Sequence, residues 1–553
     1  MHTIQITPLA FMDTREILRF CLENGLLVDK DVLNLFSESS DIESVKLILN
    51  KIKSNTNQKI LTRQTIDDNK DKVSEIFLGL PEESQKDLES VKVKLGLSIE
   101  ISKEISKNVS GKDRVVIISK PEEKEIEKEK QEKSKKDEKA VSDIEILEMP
   151  EIESRKLEVK DFVTYFRNRL IKMRGVIQEH SEVGNVISIN KLPNTSRPGI
   201  GIIGLVVDKR VTKSKNLLFE VEDLTGRVKV LVNSKNPELF EKAEDITLDS
   251  VIGFKGSGSR QIVFVNEVVF PESMLHERKR SNKDEWALFT GDLHVGSKLF
   301  LEENFLKFID YLNGKVPNTP EVKRIRYLFL VGDLVAGTGI YQGQENELNI
   351  IDVEEQYAKV AELLGKIRKD IKIIVGPGNH DVMRIMEPQP TLDEKYAWQL
   401  YNLKNVVLVR NPCNVLVGKN ENFSGMNVLM YHGYSFHYYA NTLPRLLKEK
   451  ATHNPEKIMH YLLKNRHLAP THSSTLYFPS KKDPFFIENV PDVFLSGHTH
   501  KSGVSYYNNV LVISSSCWES KTDFQERMGN EPDYCKVPMF NLKTRAVKIL
   551  DFE

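Results

Sequence analysis

Short apolar runs in the second half of the chain end repeatedly in small polar loops. Residues 286–289 run into Gly291-Asp292-Leu293-His294, residues 328–331 into Gly332-Asp333, and residues 373–375 into Gly376-Pro377-Gly378-Asn379-His380-Asp381. Residues 428–431 lead to His432-Gly433 and residues 493–496 to Gly497-His498-Thr499-His500. Such runs, bounded by turn residues, predict buried strands. Between them lie helical stretches such as 355–367, where Tyr357, Val360, Leu363 and Leu364 share one face. Alternating strands and helices predict a layered, two-sheet α/β domain over residues 284–553. Polar side chains just beyond strand ends, with glycines allowing close backbone approach, are predicted to converge on one site.

Upstream the period changes. Phe162, Tyr165, Phe166 and Leu170 predict a helix, followed by strands at 200–207, 217–222, 227–232, 251–254 and 262–265. Asp223-Leu224-Thr225-Gly226 marks a hairpin turn, and residues 237–242 fit a short helix. Five strands with a helix between the third and fourth predict an OB-fold β-barrel over residues 156–275. Such barrels hold single strands with basic grooves and aromatic platforms. Lys209, Arg210, Lys213 and Lys215 gather in one predicted loop as candidate DNA-phosphate contacts, while Phe219 and Phe264 read equally well as core. A barrel used for protein contacts fits the same pattern.

Residues 1–52 read as three short helices. Asp13 and Glu16 form a capping-box pattern ahead of a face of Ile17, Leu18, Cys21 and Leu22, which Asn24-Gly25 ends. Val32, Leu33 and Phe36 suggest the second helix; Ser40 and Glu43 cap a third with Val45, Leu47, Ile48 and Leu49. So small a core suits a docking module better than an enzyme. Residues 53–155 read as a low-complexity charged linker. Fifteen of the twenty residues at 121–140 are charged, seven lysines against eight acids, too polar to fold alone. Because the charges cancel, a disordered tether is expected rather than a basic nucleic-acid arm.

Composition narrows the function classes. A chain of 553 residues should hold two to four domains. It lacks any run of roughly 18 apolar residues and a basic-then-apolar leader pattern, so a cytoplasmic protein without membrane contact is expected. Cys21, Cys413, Cys517 and Cys535 show no CxxC spacing and suggest neither a zinc ribbon nor a disulfide framework. A net charge of -1 argues against DNA binding by bulk charge, though local patches and metals can supply a field. Ten of thirteen histidines lie between His294 and His500. Alone, His294 would read as a surface histidine and Asn379-His380-Asp381 as an Asx-turn. Five such loops at strand ends read together as the ligand loops of a two-metal phosphoesterase. Two divalent ions roughly 3.5–4 Å apart need a bridging carboxylate and a bridging water as nucleophile. Carboxylate, imidazole and amide donors suit manganese, iron or zinc better than calcium, and the absence of thiolates argues against a structural zinc site.

The order DxH, GD, GNHD, HG, GHTH resembles the calcineurin-like metallophosphoesterase superfamily. Three further stretches sharpen it: Gly337-Thr338-Gly339-Ile340-Tyr341-Gln342-Gly343, Glu387-Pro388-Gln389-Pro390 and Arg466-His467-Leu468-Ala469-Pro470. With the barrel ahead of them, residues 160–553 resemble the small subunits of archaeal family-D DNA polymerases. The resemblance implies that Asp292, His294, Asp333 and His500 hold one metal. Asp333 would bridge to a second held by Asn379, His432 and His498. His380 would contact the scissile phosphate or protonate the leaving oxygen, with Asp381 orienting it. Two divalent ions are implied, manganese first, with iron, zinc or magnesium as alternatives.

The implied activity is a 3′→5′ proofreading exonuclease that releases mononucleotides from a primer 3′ end. A separate large catalytic subunit would polymerise and would bind through the barrel and phosphoesterase domains. The resemblance assigns no partner to the amino-terminal helices, for which that subunit, a sliding clamp and another replication factor are the alternatives. In related eukaryotic subunits the ligands are lost, whereas here all are present. Thr471-His472 departs from the family pattern, and His437, His453 and His472 read as structural or substrate-lining. A non-catalytic assembly subunit and a free-standing repair nuclease remain the alternatives.

Overall fold

The computed structural model describes residues 14–29, 32–33, 36, 42–56, 60–62, 100–103, 144–149, 155–527 and 529–553. Helices α1 (Thr14–Glu23) and α2 (Ile42–Thr56) build a small core from Ile17, Cys21, Val45, Ile48, Leu49 and Ile52, to which Leu26, Val32, Phe36 and Leu61 add. Leu18, Leu22 and Leu47, expected on the apolar faces, are instead exposed. The module also runs past residue 52, because Leu27–Val28 pairs in parallel with Ile60–Leu61. The expected caps at Asp13 and Ser40 and the charged run 121–140 lie outside the described residues.

The linker expectation needs one correction. Glu100–Lys103 and Ile144–Glu148, both within 53–155, are edge strands of the two carboxyl-terminal sheets. A sheet edge offers a row of unpaired backbone groups. Ile144 also packs against the core between the sheets, which a freely solvated tether would not do.

Helix α3 (Val159–Gln178) buries Tyr165, Arg169, Leu170, Met173 and Ile177. After it come β1 (Arg197–Val211), β2 (Leu217–Asp223), β3 (Gly226–Val232), β4 (Val251–Gly258) and β5 (Ile262–Val269). They close into a barrel in the order β1-β2-β3-β5-β4. The short helix α4 (Pro237–Glu244) joins the third strand to the fourth, as the pattern predicts. The turn is set by Asp223 Oδ1, which accepts from the N–H groups of Thr225 (2.7 Å) and Gly226 (3.1 Å). Ile202, Phe219, Val221, Val230 and Phe254 fill the interior. Phe264 is 50% exposed.

The carboxyl-terminal domain consists of two facing sheets. Strands β6 (Trp286–Thr290), β7 (Ile325–Val331), β8 (Lys372–Gly376) and β9 (Val406–Leu408) run parallel. The second sheet has β10 (Cys413–Val417), β11 (Met426–Met430), β12 (Val493–Ser496), β13 (Gly503–Tyr507) and β14 (Val510–Ser514). Finally, β15 (Lys536–Asn541) and β16 (Val547–Asp551) extend the first sheet beyond β6. Phe289, Phe329, Ile374, Val415, Val428, Leu495 and Ile513 fill the space between the sheets. Helices α5 (Glu302–Leu312) and α6 (Val353–Gly365) cover the first sheet's outer face, and α7 (Pro455–Lys464) covers the second's. Strands buried on both faces show no alternation, which is why they read as continuous apolar runs.

Buried and half-buried polar contacts bolt α3 and the barrel to this domain. Arg169 Nε donates to Asp483 Oδ2 at 2.7 Å. Arg445 Nε lies 3.0 Å and Lys464 Nζ 2.9 Å from the Asp245 carboxylate. Thr247 Oγ1 and Tyr461 OH share a 2.8 Å hydrogen bond. Among the described residues no helix is long and apolar enough to cross a membrane.

Candidate metal centre

The parallel strands β6, β7, β8, β11 and β12 each deliver a polar loop to one edge of the sandwich. Asp292, His294, Asp333, His498 and His500 all have φ between 50° and 68°. Side-chain-bearing residues rarely enter that left-handed region, at a cost on the order of 1–3 kcal/mol each. Backbone hydrogen bonds hold them there: Asp292 N to Gly332 O (2.8 Å), His294 N to Asp333 O (3.1 Å) and Trp518 N to Asp292 O (2.9 Å). The glycines make room. A Cβ on Gly378 would fall 2.2 Å from Asp333 Oδ1, and one on Gly332 (φ 104°) would fall 2.6 Å from His432 Nδ1.

The side chains then gather about Asp333. Three overlapping donor sets have their ligand atoms within 4.8 Å of one another: Asp292–His294–His500, His294–Asp333–His380 and Asp333–His432–His498. Asp333 Oδ2 is 3.3 Å from His432 Nε2 and 3.9 Å from His294 Nε2. His294 Nε2 and His500 Nε2 are 3.0 Å apart, and Asn379 Oδ1 is 3.0 Å from His432 Nε2. Thus all seven residues proposed as ligands from the sequence are brought together, on both sides of one carboxylate.

Ring orientation comes from the main chain. The Nδ1 of His432 bonds Val331 O at 2.8 Å, and that of His380 bonds Ala336 O at 2.9 Å. Each bond fixes Nδ1 as the protonated nitrogen and leaves Nε2 facing the site. The His500 Nδ1 lies 2.8 Å from the Gln525 amide. Asp381 differs from expectation. It does not orient the His380 ring. Its Oδ2 accepts from Gly378 N (2.9 Å) and its Oδ1 from Tyr357 OH (3.1 Å), so it braces the loop.

Electrostatics fit a cation site. Burial pushes the imidazoles of His294, His498 and His500 down, His500 to about 4, so they present neutral lone pairs. Burial and the nearby Asp333 push Asp292 well above the carboxylate range, as expected where two carboxylates share a buried site. Asp333 moves the other way: against burial, His432 and His380 hold it well below that range. His432 is itself raised to about 10 against burial by Asp333 and Asp292. The carboxylates of Asp292 and Asp333 and the neutral imidazoles of His294, His498 and His500 are the oxygen and nitrogen donors that mid-row divalent ions take.

The basic cluster in the barrel does not stay together. Strand β1 extends through Val211, so Lys209 lies on a strand rather than in a loop. Its Nζ donates to Glu244 O (2.6 Å) and Ile246 O (2.7 Å) at the carboxyl end of α4. Burial lowers it to about 8. Only Arg210, Lys213 and Lys215 are exposed. Sequence reasoning missed Gln525, Tyr357 and Asn411; none carries a local motif. It noted Glu387-Pro388-Gln389-Pro390 without assigning it a role.

Residues 287–505 match the B-subunit family of DNA polymerases alpha and epsilon. The DNA polymerase II small subunit of Pyrococcus horikoshii is 40% identical over 403 residues, covering 71% of this chain and 63% of that protein. The chain therefore matches less than two thirds of that relative's length. The DNA polymerase II small subunit of Methanothermobacter thermautotrophicus is 36% identical, covering 71% of this chain and 80% of its own. Among solved structures, a novel archaeal phosphodiesterase aligns with 48% of this chain and 98% of its own at 12% identity, with a TM-score of 0.24.

Proposed function

This chain belongs to the family of archaeal DNA polymerase II small subunits, and from that premise we propose that it is a metal-dependent 3′→5′ DNA exonuclease that proofreads for a partner polymerase subunit. The convergence of Asp292, His294, Asp333, Asn379, His432, His498 and His500 about one carboxylate is the observation that carries the reading. A pair of divalent ions, manganese first, would supply an ionised water and offset phosphate charge in phosphodiester hydrolysis. Asp333, 3.3 Å from His432 and 3.9 Å from His294, would bridge the two ions. Asp292, His294 and His500 would hold one ion, and Asn379, His432 and His498 the other.

His380 is held by Ala336 O with Nε2 toward the cleft, edge-on to His294 at 4.7 Å between ring centres. That nitrogen would carry the proton for the departing 3′ oxygen of the penultimate nucleotide. The five-stranded barrel is read as an OB domain. With Lys209 sequestered, the basic cluster at the end of β1 is reduced to Arg210, Lys213 and Lys215, which favours the barrel as a contact for the large catalytic subunit. DNA enters as a single-stranded primer end, and the chain acts in the cytoplasm.

The test uses the purified chain, alone and with its large subunit, Mn2+ and a 5′-labelled primer with a 3′ mismatch. Stepwise release of mononucleotides is expected from the wild type, and in Asp333→Ala and His432→Ala a loss greater than the roughly 10–100-fold carried by an outer-shell partner. No release from the wild type would leave the assembly reading, and full activity in both variants would remove the metals from the mechanism.

A further inference from the structure

Behind the second donor set lies a closed ring of hydrogen bonds. Gln389 Nε2 donates to Gly378 O at 2.9 Å, which fixes the peptide plane leading into Asn379. Asn411 Oδ1 accepts the His432 N–H at 2.9 Å. The two amides then join each other, Asn411 Nδ2 donating to Gln389 Oε1 at 2.8 Å. The ring closes where Asn379 Oδ1 meets His432 Nε2 at 3.0 Å. The other hydrogen of Asn411 Nδ2 goes to Glu387 Oε1 at 3.1 Å, and Glu387 Oε2 accepts from Thr475 Oγ1 (2.6 Å) and Tyr431 OH (3.3 Å). Glu387, Gln389 and Asn411 are each at most 3% exposed.

Within the ring both hydrogens of Asn411 Nδ2 and one of Gln389 Nε2 find acceptors. The backbone N–H of His432 requires an oxygen, so Asn411 Oδ1 must face it, and both hydrogens of Nδ2 then face the two remaining acceptors. A buried network of this kind is rigid while complete and unfavourable once broken. It is also one-sided. Asp292 and His500 are held by other groups, the N–H of His498 (3.0 Å) and the Gln525 amide (2.8 Å) respectively. His294 is held through Asp333 O.

We infer that Glu387, Gln389 and Asn411 are positioning residues for the second metal, setting its affinity separately from that of the first. This rests on the two-metal reading above. It gives a chemical role to Glu387-Pro388-Gln389-Pro390 and predicts an asymmetric centre. Losing an amide of the ring frees the Asn379 peptide or the His432 main chain. The first donor set stays in place, and Asp333 still serves it.

The experiment is a Mn2+ titration of the full chain without DNA. Room-temperature electron paramagnetic resonance counts free ion, and low-temperature spectra detect the exchange-coupled pair. The wild type is expected to bind two ions with a coupled spectrum. Asn411→Leu should weaken one site by on the order of 10–100-fold, the weight of an outer-shell partner, leave the other within a few-fold, and lose the coupled signal. Glu387→Gln keeps one acceptor for Asn411 and should retain most of the wild-type behaviour. Gln389→Met provides the same reading should Asn411→Leu not fold. Gln525→Leu, which touches His500, should weaken the opposite site. A wild type that binds no Mn2+ overturns the two-metal reading and this inference with it. A wild type that binds two ions, with Asn411→Leu and Gln389→Met unchanged or weakened equally at both sites, overturns the inference alone.

Discussion

Replacing Arg169 by methionine tests how the barrel is held against the carboxyl-terminal domain. Arg169 is 1% exposed. Its guanidinium donates to Asp483 Oδ2 (2.7 Å), Pro470 O (2.6 Å) and Tyr165 OH (2.8 Å). Asp483 also accepts from Tyr165 OH at 2.8 Å and from Phe485 N at 3.1 Å, and lies 2.9 Å from His467 Nε2. Methionine fills most of the aliphatic volume but leaves Asp483 as a buried carboxylate served only by uncharged donors. Breaking one side of a buried pair costs about 3–5 kcal/mol, a factor of roughly 10²–10⁴ in the opening equilibrium of α3. The double variant Arg169→Met/Asp483→Leu leaves no stranded charge and should lose less than Arg169→Met alone. A chain of several domains does not unfold in one step, so amide hydrogen exchange along α3 is the suitable readout. A fall in protection of less than tenfold for Arg169→Met, or a double variant as weak as the single, would refute the bolt.

Two further outcomes follow from the same kind of contact. Burial and then Arg169 push His467 down to about 4, so the unfolded chain binds the extra proton first on acidification. Stability should be full above about pH 6.5 and fall as pH drops toward 4, by at most on the order of 3 kcal/mol. Asp483, also depressed in the folded state, adds its loss only below the ordinary carboxylate range. Melting temperature against pH checks this, and His467→Gln should flatten the slope between 6.5 and 4; an unchanged slope assigns it to other groups. In the barrel, Lys209→Met should lower thermal stability without altering the salt dependence of single-strand binding. Removing Lys213 and Lys215, on a barrel read as a subunit contact, should likewise leave that slope unmoved, and a slope lowered by about 0.7 for each phosphate no longer neutralised would assign the barrel to DNA instead.

The candidate ligands were legible because each sits in a local signature, an apolar run, a glycine and a donor. The runs are continuous because both faces of each strand are buried, and the glycines are needed where a Cβ would strike Asp333 or His432. What holds the ligands was not legible. His432 and His380 are oriented by the carbonyls of Val331 and Ala336, and a carbonyl carries no side-chain identity. Gln525 and Asn411 reach the site across 25 and 21 residues from the histidines they serve. Lys209 was misplaced because β1 outruns its apolar stretch, and because the exposed carbonyls at the end of α4 attract a cation. The edge strands at 100–103 and 144–148 were hidden because pairing with a sheet edge depends on the sheet.

Legible and illegible parts divide along a structural line. Asp292, His294, Asp333 and Asn379 follow strands of the first sheet, whereas His432, His498 and His500 follow strands of the second. The two groups that would hold an ion, Asp292–His294–His500 and Asp333–His432–His498, each need residues from both sheets. The centre therefore exists only when Phe289, Phe329, Val428 and Leu495 close the interior between the sheets. The Gln389–Asn411 pair spans the same boundary, joining the loop after β8 to the main chain after β11. A core substitution that opens the sheets by a fraction of an ångström thus acts on metal affinity before it acts on the fold, because the packed interior transmits strain while the ligand loops already hold their backbone in a costly conformation.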